Sequence, residues 1–167
     1  YFVNQFGNPD NPAAHEQGTG PEIWRQMGGD MDAIVFGCGS SGTMTGLSRF
    51  FAATAPHVKL VLADPVGSIL TQYINEGVLS TKSGSWLVEG IGEDFLPDIS
   101  DFTRVEKAFA ITDKESFLAG RELLIKEGVL QKELWDLVLR NVRMPTELDM
   151  DTRLINGCMA RAEERRL

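Results

Sequence analysis

The chain has 167 residues, with 16 basic and 24 acidic side chains and a net charge of −8. Its 43% hydrophobic fraction suits a globular chain and not a disordered one. No apolar run approaches the ~18 residues of a membrane span, and an acidic balance lacks the basic face that nucleic acid requires. Cys38 and Cys158 are too few and too far apart for a disulfide framework, and no targeting run is seen, so a cytoplasmic location is expected. The composition is split. Residues 1–128 hold 16 of the 17 glycines and carry the whole net charge, whereas residues 129–167 are neutral.

In chain order, Asn8-Pro9-Asp10-Asn11-Pro12 is turn material. A helix is expected from about residue 13 to 26, with Thr19 before Pro21-Glu22 as a local cap and Gly28-Gly29 as its end. Ala33-Ile34-Val35-Phe36 reads as a buried parallel strand. Glycines 37, 39 and 42 follow, then a helix from Thr43 to Ala55 and a second strand over residues 59–63, ended by Asp64-Pro65. Strand, glycine loop, helix and strand make a βαβ unit, so the fold class is α/β with a parallel sheet. Residues 69–84 combine a short helix with a loop, and residues 87–97 read as irregular. Residues 104–111 alternate as a strand does. Thr112-Asp113-Lys114-Glu115 spells a capping box for a helix whose expected apolar face is Phe117, Leu118, Leu124 and Ile125, with Gly128 at its end. Beyond it, Leu130, Leu134, Leu137 and Val138 form one helical stripe; Pro145 interrupts, and Leu148, Ile155, Met159 and Ala162 form a looser one.

The most chemical stretch is Gly37-Cys38-Gly39-Ser40-Ser41-Gly42-Thr43. Glycines allow a tight turn and close approach of a ligand. A helix that starts here offers free N–H groups and the positive end of its dipole to an anion. The hydroxyls of Ser40, Ser41 and Thr43 add donors, a density that suits a terminal phosphate monoester. The same residues also spell G-x-G-x-x-G, with Asp64 where a ribose-binding acid would sit, so an NAD(P)- or FAD-binding module over Gly37–Gly42 is the rival. A glycine-rich turn that binds nothing is the third reading. No lysine follows Gly42, which excludes an ATP-type phosphate loop. Cys38 could serve as a nucleophile, but it is more often a small packed residue in such a place. Glu93-Asp94 reads as an acid/base pair or, more commonly, a solvated loop. His15 and His57 have no partner at metal spacing.

Three segments give the first 130 residues a family likeness. The first is Asn4-Gln5-Phe6 with Asn8-Pro9 and Asn11, leading through Ala14-His15 to Thr19-Gly20-Pro21-Glu22-Ile23. The second is Gly39-Ser40-Ser41-Gly42-Thr43 with Met44-Thr45-Gly46. The third is Val88-Glu89-Gly90-Ile91-Gly92-Glu93-Asp94-Phe95-Leu96-Pro97. Together they resemble the cystathionine β-synthase and cysteine synthase family, fold-type II enzymes that use pyridoxal 5'-phosphate. The resemblance implies that Gly39, Ser40, Ser41, Gly42 and Thr43 bind the cofactor phosphate. It implies that Gln5 lies near the carboxylate of a serine-like amino-acid substrate, and that Gly90 and Gly92 belong to a loop at the active-site mouth. The implied reaction replaces the β-substituent of that amino acid by a thiol or sulfide. Homodimers are usual in this family.

The departures shape the expectation as much as the matches. The family's cofactor-bearing lysine lies in an upstream Ser-x-Lys motif, and none of Lys59, Lys82, Lys107, Lys114, Lys126 and Lys132 has that context. The upstream Asn-rich loop is absent, and Gln131-Lys132-Glu133 stands where the family has a Gly/Ser motif that meets the pyridine nitrogen. A partial fold-type II domain over residues 1–130 is therefore expected, one that binds the cofactor phosphate but does not turn over unless a missing N-terminal half complements it. Residues 131–167 read as a helical tail of different origin. Asn141-Val142-Arg143-Met144-Pro145 and Cys158-Met159-Ala160-Arg161-Ala162-Glu163 faintly resemble hydantoinase B and oxoprolinase proteins, and two amphipathic helices that cap the sheet or meet a partner are an equal alternative.

Overall fold

The structure is a computed structural model that describes residues 2–128. The tail stripes expected beyond Gly128, and Lys132 and Cys158, lie outside the described residues.

Three parallel strands form the sheet: β1 (Ala33–Phe36), β2 (Lys59–Pro65) and β3 (Val105–Ile111), in the order β1-β2-β3. Ala33 pairs with Lys59 and Phe36 with Leu62, and the β2–β3 pairing shifts once between Leu60 and Val61. The first helical stretch is longer than expected: α1 (Asp10–Ala14) runs through a π-helical turn (His15–Thr19) into α2 (Gly20–Gln26). Thr19 is consequently not a cap. Its backbone is right-handed helical and its side chain bonds no helix N–H. Pro21 is tolerated because it falls in the first turn after the π turn. Left-handed Gly28 and Gly29 end the stretch as expected.

α3 (Gly42–Thr54) crosses the buried face of the sheet. Met44, Leu47 and Phe51 are almost fully buried, at i, i+3 and i+7, and they meet Leu60 and Leu62, which share one face of β2. Phe51 takes Trp24 from α2 edge-on. Arg104 holds the far end of this layer by donating to the carbonyls of Ser48, Pro56 and Val58.

α4 (Leu70–Glu76) lies beside β3. Its Asn75 side chain donates to the Ala108 carbonyl at 2.8 Å and accepts from the Ala108 N–H at 2.9 Å, so an amide side chain stands where a further strand would pair. α5 (Asp113–Glu127) starts on the expected capping box, with Thr112 Oγ1 accepting from the Glu115 N–H and the Glu115 carboxylate accepting from the Thr112 N–H. Its inward stripe differs from expectation: Phe117, Gly120 and Leu123 are the buried positions, while Ile125 is 67% exposed. Spacing by threes from Phe117 selects Leu123, and Ile125 falls on the opposite side.

Candidate functional site

The glycine loop joins the carboxyl end of β1 to the amino end of α3, where an open parallel sheet binds its ligands. Close packing imposes its glycines. A Cβ on Gly42 would stand 1.9 Å from Asn11 Oδ1, and one on Gly39 would stand 2.5 Å from the Gly90 carbonyl oxygen. Ser41, the residue just before α3, takes a left-handed conformation at φ 69° that a serine rarely adopts. Its hydroxyl oxygen is buried and has no hydrogen-bond partner. Strain and an orphaned polar atom together mark a place shaped for something other than this fold's own stability.

Two of the loop's other hydroxyls are supported from the preceding helix. Asn11 Nδ2 donates to Ser40 Oγ at 3.1 Å and to the Gln5 carbonyl at 2.8 Å, which ties the N-terminal turn to the loop. His15 Nε2 lies 3.1 Å from Thr43 Oγ1, and its Nδ1 lies 2.9 Å from Thr19 Oγ1.

A cleft of about 520 Å3 opens in front of the loop, with Gln5, Phe6, Gly39 and Ser40 on one side and residues 86–93 on the other. The second wall is locked to the first by the Gly92 N–H, which donates to the Cys38 carbonyl at 2.8 Å. Trp86 Nε1 donates to the Ile91 carbonyl at 2.9 Å and fixes the curve of that wall. Gly90 and Gly92 are both left-handed, and a Cβ on Gly92 would collide with Pro65 and Trp86. The structure thus gathers Gln5, Gly39, Ser40, Gly90 and Gly92 around one space; Ser41, Gly42 and Thr43 continue the loop into α3 and are not among the residues that line it.

The structure gives Glu93 a place at the cleft, takes Asp64 out of the ribose role and leaves Cys38 the packed residue its position suggested. Glu93 lines the cleft, and burial, then Asp94 and Asp64, push its carboxyl above the usual range. Asp64 cannot serve a ribose. It is 1% exposed, and its Oδ2 accepts from both the N–H and the hydroxyl of Thr71 at 2.9 Å, so it faces α4 and not the loop. The dinucleotide reading over Gly37–Gly42 loses its acid. Cys38 is 1% exposed, and burial, with Asp64 and Glu93 nearby, pushes its thiol up to about 12, which makes it a packed residue and not a nucleophile. His57 stacks edge-on against Trp24. Among the described residues no lysine lines the cleft. Asn11 and His15 were visible only as parts of a family spelling; their spacing of four on one helix was the available signal that both reach the loop.

Comparison with known proteins identifies the family. The family of pyridoxal-phosphate dependent enzymes matches residues 1–132. Cystathionine β-synthase from Dictyostelium discoideum is 39% identical over 130 residues, which is 78% of this chain and 26% of that protein. Cysteine synthase A from Escherichia coli K12 is 37% identical over 131 residues, 77% of this chain and 40% of that protein. The crystal structure of an O-acetylserine dependent cystathionine β-synthase from Helicobacter pylori superposes with a TM-score of 0.69 at 34% identity, covering 80% of this chain and 41% of that one. The chain therefore spans between a quarter and two fifths of the length of these relatives. The family match ends at residue 132 and lends the tail's likeness to hydantoinase B no support. With its parallel sheet, its glycine loop and these matches, the chain belongs to the pyridoxal-phosphate dependent enzyme family, among relatives that are cystathionine β-synthases and cysteine synthases.

Proposed function

We propose that residues 1–130 supply the phosphate-binding part of a pyridoxal-phosphate dependent β-replacement enzyme that acts on a serine-like amino acid. The observation that carries this reading is the loop itself: a tightly packed glycine turn at the start of α3 that carries a buried, unpartnered Ser41 hydroxyl. In this reading Ser40, Ser41 and Thr43 donate their hydroxyls to the cofactor phosphate. Gly39 and Gly42 let the backbone come close, and the α3 dipole favours the dianion. Pyridoxal phosphate, once held, supplies an electron sink for carbanion chemistry. Gln5 lines the same cleft and in this reading meets the substrate carboxylate, while the wall carrying Gly90 and Gly92 would narrow the mouth and limit water.

Among the described residues, the cleft's lining lacks an amine that could carry the cofactor covalently. Turnover would then need a lysine from another segment, supplied by complementation or by a longer chain, and a homodimer is the assembly this reading favours. Residues 131–167 form a separate unit in the same reading.

Titration with pyridoxal 5'-phosphate tests the proposal, with pyridoxal as the control. Tight binding of the first and at least tenfold weaker binding of the second are expected, because charge-assisted hydrogen bonds to the phosphate are worth ~1.5–3 kcal/mol each. Ser41→Ala should weaken binding about tenfold with the fold unchanged. Borohydride treatment of the complex should leave no single lysine modified stoichiometrically. Equal affinity for the two compounds would overturn the phosphate reading. Stoichiometric labelling of one lysine would overturn the missing anchor.

A further inference from the structure

We infer that His15 is a positioning residue that aims the Thr43 hydroxyl proton at the bound phosphate, working as the middle of a Thr19–His15–Thr43 relay. The inference rests on the phosphate reading of the loop. Its own basis is a chain of contacts that runs from the π-helical turn to the glycine loop. Thr19 Oγ1 lies 2.9 Å from His15 Nδ1, and His15 Nε2 lies 3.1 Å from Thr43 Oγ1. His15 and Thr19 bound the π-helical turn that interrupts the helix, and such turns concentrate at functional sites.

The chemistry follows from proton counting. A threonine hydroxyl carries one proton and can accept through its lone pairs. If neutral His15 holds its proton on Nδ1, that nitrogen donates to Thr19 and the bare Nε2 takes the Thr43 proton. Thr43 then has nothing left to donate, and a phosphate oxygen would face only lone pairs. If the proton sits on Nε2, His15 donates to Thr43 Oγ1, the Thr19 hydroxyl donates to Nδ1, and the Thr43 proton is free to point outward. Only the second tautomer suits an anion. The Thr19 hydroxyl can donate or accept and so accommodates either tautomer, and a phosphate dianion selects the second when bound. Asn11 does the same for Ser40 in a simpler way, since an amide N–H can only donate. One helix thus feeds both hydroxyls, from positions four residues apart.

Three variants of the full chain test this: His15→Leu, His15→Gln and Thr43→Val, together with the His15→Leu/Thr43→Val double variant. Binding of pyridoxal 5'-phosphate and thermal melting are measured for each. Glutamine can place an N–H near the Nε2 position, whereas leucine cannot. His15→Leu should weaken binding about tenfold and His15→Gln less than about threefold, because the lost contact is one charge-assisted hydrogen bond. In the Thr43→Val background His15→Leu should add less than about twofold, because the two residues act through one proton. Nitrogen chemical shifts of the His15 ring at pH 8 in the complex should show the proton on Nε2. Full additivity of the two substitutions, a His15→Gln loss equal to that of His15→Leu, or a proton on Nδ1 in the complex would each overturn the relay. Wild type that binds no pyridoxal phosphate would bring down the phosphate reading, and the relay with it. Tight wild-type binding that His15→Leu leaves unchanged would remove the relay alone.

Discussion

Cys38 and Asp64 sit within one buried pocket of polarity, and each has been moved away from its ordinary chemistry. The Cys38 thiol, pushed up to about 12 by burial and by nearby Asp64 and Glu93, is protonated at neutral pH. At pH 8 only about one molecule in ten thousand holds the thiolate that alkylation needs. Peptide mapping after iodoacetamide treatment should find Cys38 unmodified in the native protein and modified in urea. Rapid native labelling would show that the pocket opens. Asp64 is raised by burial, which outweighs the hydrogen bonds from Thr71 and Ser68. A carboxyl whose folded pKa lies above its unfolded value favours folding when protonated. That contribution is full below the unfolded value of ~3.9 and is lost as pH rises through the folded one. Asp64→Asn stays neutral throughout and keeps an acceptor for Thr71. The stability of wild type relative to Asp64→Asn should therefore fall as pH rises from about 4 toward 7, read by urea denaturation. Asp101 and Glu115, lowered by hydrogen bonds from Thr103 and Thr112, pull the other way. Both are present in each protein and cancel in the difference. A flat or rising difference would show that Asp64 is charged in the fold.

At the scale of elements, α3 is held by its buried face, whereas α5 leans on its N-terminal cap. α5 has a shallow apolar stripe, so its capping box carries a larger share of its stability. Thr112→Ala removes the acceptor for the Glu115 N–H and should cost about 1 kcal/mol in urea denaturation. Thr112→Ser, which keeps the oxygen, should restore most of it. Arg104 does comparable work between β3 and the end of α3, where one guanidinium serves carbonyls of Ser48, Pro56 and Val58. Arg104→Lys cannot span the three, because a point charge lacks the planar fork. It should lose about 1–3 kcal/mol while leaving cofactor-phosphate affinity unchanged, since none of these carbonyls belongs to the glycine loop.

Over the whole molecule, the N-terminal helical stretch, β1, α3 and the wall at residues 86–93 all converge on the loop at residues 37–43. A ligand held there bridges most of the described fold. Binding to the native state alone stabilises by mass action, ~2.7 kcal/mol at a ligand concentration of 100 Kd. Pyridoxal 5'-phosphate should therefore raise the melting temperature by several degrees, and the rise should grow with the logarithm of its concentration. Gly42→Ala places a Cβ into Asn11 and should abolish the shift. A shift that survives in Gly42→Ala would locate the ligand elsewhere. The second face of the sheet is less covered than the first: Val61 and Ala63 are only part-buried, and Phe109 is 45% exposed under the Lys107 side chain. A parallel sheet ordinarily has both faces covered, and these residues span only part of the relatives' length.

The periodicities of the sequence by themselves determined the three strands, the glycine loop, the capping box of α5 and the α/β class, because these depend on residues close together in the chain. The family spelling likewise brought Gln5, Gly39–Thr43, Gly90 and Gly92 into one list. Local pattern could not decide the rest. Thr19 has the spelling of a cap, yet the helix runs through it, because packing of Gly20 against Phe50 and of His15 against Gly46 continues the helix past that point. Asp64 has the position of a ribose acid, yet α4 folds over it and takes its carboxylate. Ile125 is as apolar as the residues that pack, yet the stripe through Phe117 and Leu123 leaves it on the solvent side. Asn11 and His15 are 29 and 28 residues from the hydroxyls they meet, and only the packing of one helix against another decides which loop proton each sets free.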